Sequence, residues 1–397
     1  MNRKFISSKT ILSCFLIWLV ITQSFQWLAF NRLRLTEPDK KDYSYTQDFA
    51  PVFDPHPLNF LEMHARFDTA WYFGIAYQGY QFSPNEQSNV NFFPLYPLLI
   101  KQVQKLLSPI FPSLILYHHY LLAGLLISLI SLALSALVLY RLFLLDSDPA
   151  TSSLAIFLFL VFPTSFFLTS IYSESLFLLF SSSLFYLARK RQFLLAGLTG
   201  FLAALTRPIG ILLILPLVIE VFLSWQHLKP LPNKAVALIS ILLPPLGLLT
   251  FAHYLNLKFG SPFLFLTAAQ SWQRTLSFSP LSSLANQITQ DLSFTHASSS
   301  NVILELFFLA VGISLAILSF KRVRASYSIY SLLLVVFPLL SGVLVSQGRY
   351  TLVIFPLFLT LAQLLRRNLP LLFICITVSL LLQGLLSILF VNGYMAG

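Results

Sequence analysis

Apolar residues run along the chain in blocks separated by short polar connectors, and most blocks approach the ~20 residues a helix needs to cross a bilayer. They fall at Lys9–Phe30, Tyr120–Leu142, Ser152–Leu168, Tyr172–Ala188, Phe193–Thr206, Ile209–Trp225, Ala235–Leu255, Val302–Phe320, Tyr327–Val345, Tyr350–Leu365 and Leu369–Val391. Eleven such blocks predict an all-α integral membrane protein, a polytopic helical bundle forming one domain over residues 1–397. Pro163, Pro244, Pro245 and Pro338 lie inside blocks and predict kinks, because proline removes a backbone donor and crowds the preceding turn. The first block follows the basic start "MNRKFISSKT", but no small-residue cleavage site comes after it. It reads as a retained anchor helix.

Two long polar segments interrupt the pattern. Asn31–His119 is rich in Asp, Pro, Tyr and Asn, and Lys258–Asn301 is rich in Ser. In the first, Phe67, Ala70, Trp71 and Ile75 recur at helical spacing. The stretch "FFPLYPLLIKQVQKLL" is also periodic, with Lys101 and Lys105 one turn apart and suited to lipid headgroups. Both predict short amphipathic helices lying in the membrane interface.

Charge gives the pattern a direction. With the N-terminus in the cytoplasm, the cytoplasmic connectors carry Arg3 and Lys4, Arg141, Arg189 to Arg191, Lys229 and Lys234, Lys321 to Arg324, and Arg366 and Arg367. The short exterior turns carry only Arg207 and Arg349. This is the bias of the positive-inside rule, and it puts both long segments outside. Composition agrees: the chain is 57% hydrophobic and 10% charged, where a soluble domain carries roughly 25% charged residues. The mean hydropathy is +0.78. The net charge of +11 does not indicate nucleic acid, because the basic residues sit in small clusters between apolar blocks. Cys14 and Cys375 lie within apolar blocks without a CxxC partner, which points to neither a disulfide framework nor a zinc site.

Four polar sites converge on the exterior side. They are Asp68 with its neighbours His64 and Trp71; the turn "PTSFFLTSIYSES" with Tyr172, Ser173 and Glu174; "LTRP" with Arg207; and "SQGRY" with Gln347, Arg349 and Tyr350. Two carboxylates and two guanidiniums in one exterior cavity suit group transfer from an anionic lipid carrier. Arginine presents a planar fork to phosphate oxygens, and a carboxylate can take the proton of an acceptor hydroxyl. Each residue also has a plainer role. Asp68 could cap the helix that follows it, Glu174 could favour the positive end of its helix, and the arginines could snorkel to headgroups. His64 reads as an interfacial or substrate-contacting side chain, and Glu305 as structural. Exterior carboxylates could hold a divalent ion, yet no Asp-x-Asp pair lies outside; the "DSD" at Asp146 to Asp148 is cytoplasmic.

The blocks "RFDTAWYFGIAYQGY", "NFFPLYPLL", "FPTSFFLTSIYSESLFLLFS", "ALTRPIGILL" and "SQGRYTLVIFPLF" occur in this order between Arg66 and Phe358. The series resembles the PIG-V-like mannosyltransferases, membrane glycosyltransferases of the GT-C fold. That family's first motif reads Trp-Asp-x-x-Trp-Tyr; here Phe67 stands in place of the first Trp, while Asp68, Trp71 and Tyr72 keep their places. The resemblance implies a polyprenyl- or dolichyl-phosphate sugar donor, mannose by default, and an inverting transfer with Asp68 as base. It implies active-site lining for Glu174, Arg207 and Arg349. In eukaryotes such enzymes add the second mannose to the glycolipid anchor precursor on the lumenal side. This chain reads as a prokaryotic plasma-membrane relative with a different acceptor, whether glycan, lipid or protein. Two other readings compete. A transporter of lipid-linked sugars would place its polar groups near the midplane, often with internal repeats. A ligase of the O-antigen type would rest on a large late exterior loop, whereas here the first segment is the longer.

Overall fold

The structure, a computed structural model, describes residues 8–33, 59–84, 86–228, 231–271, 298–341 and 344–394. Arg3, Lys4, Lys229 and the stretches 34–58 and 272–297 of the two long segments lie outside the described residues. The helices are, in chain order, α1 (Ser8–Arg32), α2 (Asn59–Glu62), α3 (Thr69–Gln78), α4 (Leu95–Leu107), α5 (Leu116–Phe143), α6 (Pro149–Leu160), α7 (Glu174–Arg189), α8 (Phe193–Thr206) and α9 (Ile214–Ser224). They continue with α10 (Leu231–Ile241), α11 (Leu243–Phe259), α12 (Leu264–Gln270), α13 (Ser298–Ser319), α14 (Ala325–Val336), α15 (Gln347–Leu352), α16 (Pro356–Leu365) and α17 (Leu369–Val391). No strand occurs among the described residues.

Each apolar block has a helical counterpart, but the blocks differ in reach. Among the described residues five helical stretches are long and apolar enough to cross a bilayer by themselves: Ile11–Arg32, Leu116–Phe143, Pro208–His227, Val302–Ser319 and Leu369–Val391. The pair α10 and α11 adds a sixth if counted as one span bent by 40°. Prolines account for the shortening. Helix α6 stops at Leu160, just before Pro163; the α10–α11 bend directly precedes Pro244 and Pro245; and α14 passes at Phe337 into a 3-10 turn around Pro338. Of the kinks expected from the sequence, the one at Pro244 and Pro245 is a bend, whereas at Pro163 the helix has already ended and at Pro338 it tightens into a 3-10 turn.

Helices α1 and α17 show where lipid lies. On α1 the buried residues Ile11, Phe15, Trp18, Thr22, Gln26 and Ala29 recur every three or four positions, while Leu16, Ile17, Val20, Ile21 and Leu28 face outward. On α17, Phe373, Ile374, Leu381 and Leu385 face outward. Such a continuous apolar exterior is untenable in water and is covered by bilayer in a multi-pass membrane protein. The core is centred on α7, which packs between α5 and α8 and buries Glu174, Ser175, Leu176, Phe177 and Leu178 in its first turns.

The two amphipathic helices expected in the first polar segment are both present as helices, α3 and α4, but only one has the expected character. Helix α4 is amphipathic: Tyr96, Pro97, Ile100, Gln104 and Leu107 are buried and Leu98 and Leu106 exposed. Helix α3 is not. Thr69, Tyr72, Phe73, Gly74, Ile75 and Ala76 are all buried, so it is a core element rather than an interfacial one. Of the stripe expected from the sequence only Ile75 is buried: Phe67 precedes the helix, and Ala70 and Trp71 are half-buried.

The end of the bundle assigned to the cytoplasm is held by ion pairs. Arg189 meets Asp146 at 2.6 Å, Arg324 meets Glu220 at 2.6 Å, and Arg366 pairs with Asp148. Asp148 also caps α6 through the amides of Ala150 and Thr151. Burial alone would raise its pKa, but hydrogen bonds from Thr151 and Arg366 outweigh that and bring it down to about 2. Arg141, Lys190, Arg191, Lys321, Arg322 and Arg367 stay exposed.

Candidate active site

Asp68 follows a residue in an uncommon conformation. Phe67 has φ +47°, in the left-handed region that bulky side chains avoid. The strain is held by the packing of its ring on Phe390 and by three ties to the turn before α7. The Ile171 amide donates to the His64 carbonyl at 3.2 Å, the Thr69 hydroxyl to the Ile171 carbonyl at 3.3 Å, and the Tyr172 hydroxyl to the Arg66 carbonyl at 3.0 Å. Asp68 stands at the N-cap of α3 but its side chain makes no capping hydrogen bond. Its Oδ2 accepts from Arg349 Nη1 at 2.7 Å instead, so helix capping does not account for it.

Arg349 also bridges to a second acid. Its Nε lies 3.3 Å from Glu174 Oε1, and the same oxygen pairs with Arg207. Glu174 is buried at the N-terminus of α7, where the helix end adds to its stabilisation as an anion. Both guanidiniums turn inward, with side chains only 11% and 12% exposed, and neither snorkels to the surface. Arg349 lies 5.5 Å from the Tyr172 ring and 5.7 Å from Phe167, and Arg207 lies 5.9 Å from Tyr350. Four charged side chains from four distant parts of the chain therefore form one network: Asp68–Arg349–Glu174–Arg207.

Close backbone packing sets the arginines. Arg207 ends α8, and the chain turns back on itself so tightly that a Cβ at Gly210 would sit 2.5 Å from the Ala203 carbonyl carbon and the Ala204 nitrogen. Arg349 lies in α15, which begins just after Ser346, a second non-glycine residue at positive φ (+64°).

The network opens into a cavity of about 450 Å³. Asp68, Tyr72, Asn91, Ser173, Arg207, Arg349 and Gln270 give it a polar floor, and Phe92, Ile209, Phe265, Phe337, Pro338 and Val345 an apolar wall. Tyr72 and Ser173 are joined at 2.7 Å between hydroxyl oxygens. Of the residues singled out from sequence, Asp68, Arg207 and Arg349 line this cavity, and Glu174 lies directly beneath the arginines. Tyr172 is buried behind Arg349, and Trp71 is stacked on Phe92 at 5.7 Å with 16° between the planes. Gln347 is 2% exposed and His64 is fully buried; neither lines the cavity. Neither His64 ring nitrogen has a hydrogen-bond partner among the described residues, and burial lowers its pKa to about 3. Asn91, Gln270, Phe265 and Phe337 escaped sequence reasoning because uncharged residues in polar segments and apolar blocks carry no individual signal. No group of three His, Cys, Asp or Glu side chains that could hold a metal ion occurs among the described residues.

The sequence profile of the PIG-V mannosyltransferases matches residues 4–212, just over half of the chain, and includes Asp68, Glu174 and Arg207. The chain belongs to the PIG-V mannosyltransferase family. Its architecture is that of the GT-C membrane glycosyltransferases. It is similar to the crystal structure of ArnT from Cupriavidus metallidurans bound to undecaprenyl phosphate, with a TM-score of 0.52 and 13% identity over 92% of this chain. The apo oligosaccharyltransferase of Archaeoglobus fulgidus aligns over 96% of this chain at 15% identity with a TM-score of 0.46. The chain spans 62% of the length of the former and 56% of the latter. No curated protein matches it in sequence.

Proposed function

We propose that this protein transfers a sugar, mannose by family, from a polyprenyl-phosphate donor to an acceptor hydroxyl with inversion at the anomeric carbon. The observation that carries the reading is the Asp68 carboxylate on the cavity floor, 2.7 Å from a buried arginine and within one network of a second. The acceptor oxygen attacks the anomeric carbon while Asp68 takes its proton. The bond from that carbon to the phosphate oxygen breaks, and the electron pair leaves with the lipid phosphate toward Arg349 and Arg207. The apolar wall of Phe265, Phe337 and Pro338 suits the first isoprenoid units of the carrier. The lipid in the ArnT structure, undecaprenyl phosphate, is of this class.

The site faces the exterior of a prokaryotic plasma membrane and the N-terminus is cytoplasmic; the exposed basic residues at the opposite end of the bundle support this. The chain acts as one domain, since Asp68 and Arg349 from its two halves meet in one site. Purified protein given radiolabelled polyprenyl-phosphate mannose should move the label to an acceptor or to water and release polyprenyl phosphate. Binding without any cleavage, across a panel of lipid-linked sugars, would favour transport.

A further inference from the structure

The short helix that delivers Arg349 is held from behind by α13. Ser346 sits at φ +64°, a conformation costly for a side-chain-bearing residue unless its surroundings fix it. The fixing group is Glu305. Its side chain is buried on α13, and its two oxygens accept the backbone amides of Ser346, at 2.8 Å, and of Gln347. One turn further along α13, Phe308 lies so close beneath Gly348 that a Cβ there would approach its ring to 2.8 Å. Thr164 Oγ1 donates to the Gly348 carbonyl at 2.9 Å. Ser346, Gln347 and Gly348 are thus each held by a separate contact, and Arg349 is the next residue. Glu305 does not line the cavity.

We infer that Glu305 is a positioning residue: by holding Ser346 in the left-handed region and capping α15, it sets the Arg349 guanidinium against Asp68 and toward the donor phosphate. The part concerning phosphate rests on the function proposed above; the part concerning Arg349 and Asp68 does not. A carboxylate bound to two amides in a buried site is worth more than a neutral acceptor, and its loss leaves both amides unpaired.

Two measurements test this with Glu305→Gln and Glu305→Ala in the full-length protein. The first is the coupling between Asp68 and Arg349, taken from a double-mutant cycle on thermal unfolding in detergent. It should fall to roughly half or less in the Glu305→Gln background. Undiminished coupling overturns the inference, whether or not the protein proves to be a transferase. The second is kinetic. Glu305→Ala should raise the KM for polyprenyl-phosphate mannose about tenfold, with kcat changed much less, because Arg349 binds the phosphate before the chemistry. Adding Ser346→Gly should return KM most of the way, since glycine adopts positive φ without the clamp. A collapse of kcat with KM unchanged, or no rescue by Ser346→Gly, overturns it. A wild-type protein that neither binds undecaprenyl phosphate nor consumes the donor would count against the proposed function, while the coupling measurement would still decide the role of Glu305.

Discussion

Arg349 reaches across 281 residues of sequence to place its guanidinium 2.7 Å from the Asp68 carboxylate. On the proposed mechanism these are the phosphate ligand and the base, and here each occupies the other. A donor phosphate that draws Arg349 away leaves Asp68 free to accept a proton from the hydroxyl. Donor binding would thereby switch the base on.

Asp68→Asn separates these two roles. Transfer should drop by about 10²–10⁴-fold, the usual share of a general base. Binding of undecaprenyl phosphate should tighten by about fivefold, since a competitor worth roughly 1 kcal/mol has lost its charge. Turnover at the wild-type rate would refute the base assignment, and weaker lipid binding would refute the exchange.

Glu174 carries both guanidiniums from below. Glu174→Ala should lower stability by about 3–5 kcal/mol, because it strands buried positive charge. The double variant Glu174→Gln with Arg207→Gln should lose clearly less than the sum of its single changes. Thermal unfolding in detergent measures all four variants, and additivity within about 0.5 kcal/mol would show that the pair is not coupled.

His64 predicts an acid sensitivity. Its folded pKa is lowered by burial to about 3, below the ~6.5 of a free histidine. The unfolded chain therefore binds a proton that the folded one refuses. The contribution of His64 is fully present above pH 6.5 and is lost as pH falls toward 3, at up to ~1.4 kcal/mol per pH unit. His64→Phe should flatten the unfolding profile over this range and leave transfer intact, since the ring lies outside the cavity. A KM shift on His64→Phe would instead mark it as a substrate contact.

Orientation is open to labelling. After Cys14 and Cys375 are replaced by serine, Ser83→Cys should react with an impermeant maleimide applied to intact cells, and Gln192→Cys should not. Both positions are exposed. The opposite pattern would put the Asp68 site in the cytosol and make a nucleotide sugar the natural donor.

Much of the site was legible because charge is conspicuous in an apolar chain. Glu174, Arg207 and Arg349 stand at block ends, where little else is polar; Asp68 stands in the first polar segment beside the aromatic run around Trp71; and the prolines mark the breaks. What could not be read was pairing. Nothing in the spacing of Asp68 and Arg349 says that they touch, and the role of Glu305 is invisible because its partners are backbone amides. Helix α3 misled for a different reason. Periodicity detects one apolar face, but Phe73, Gly74 and Ala76 fill the others, and only tertiary packing shows that all of them are used.

Two carboxylates and two guanidiniums sum to no net charge, and this bears on what the cavity ignores. A neutral network projects little field into solution and does not concentrate passing anions. Chloride or free phosphate that enters must part an ion pair and gains nothing from the aromatic wall. A lipid-borne phosphate brings hydrocarbon to that wall and can offset the separation. On the proposed function, charge balance in this site would act as a sieve, one that sorts phosphates by what they are attached to.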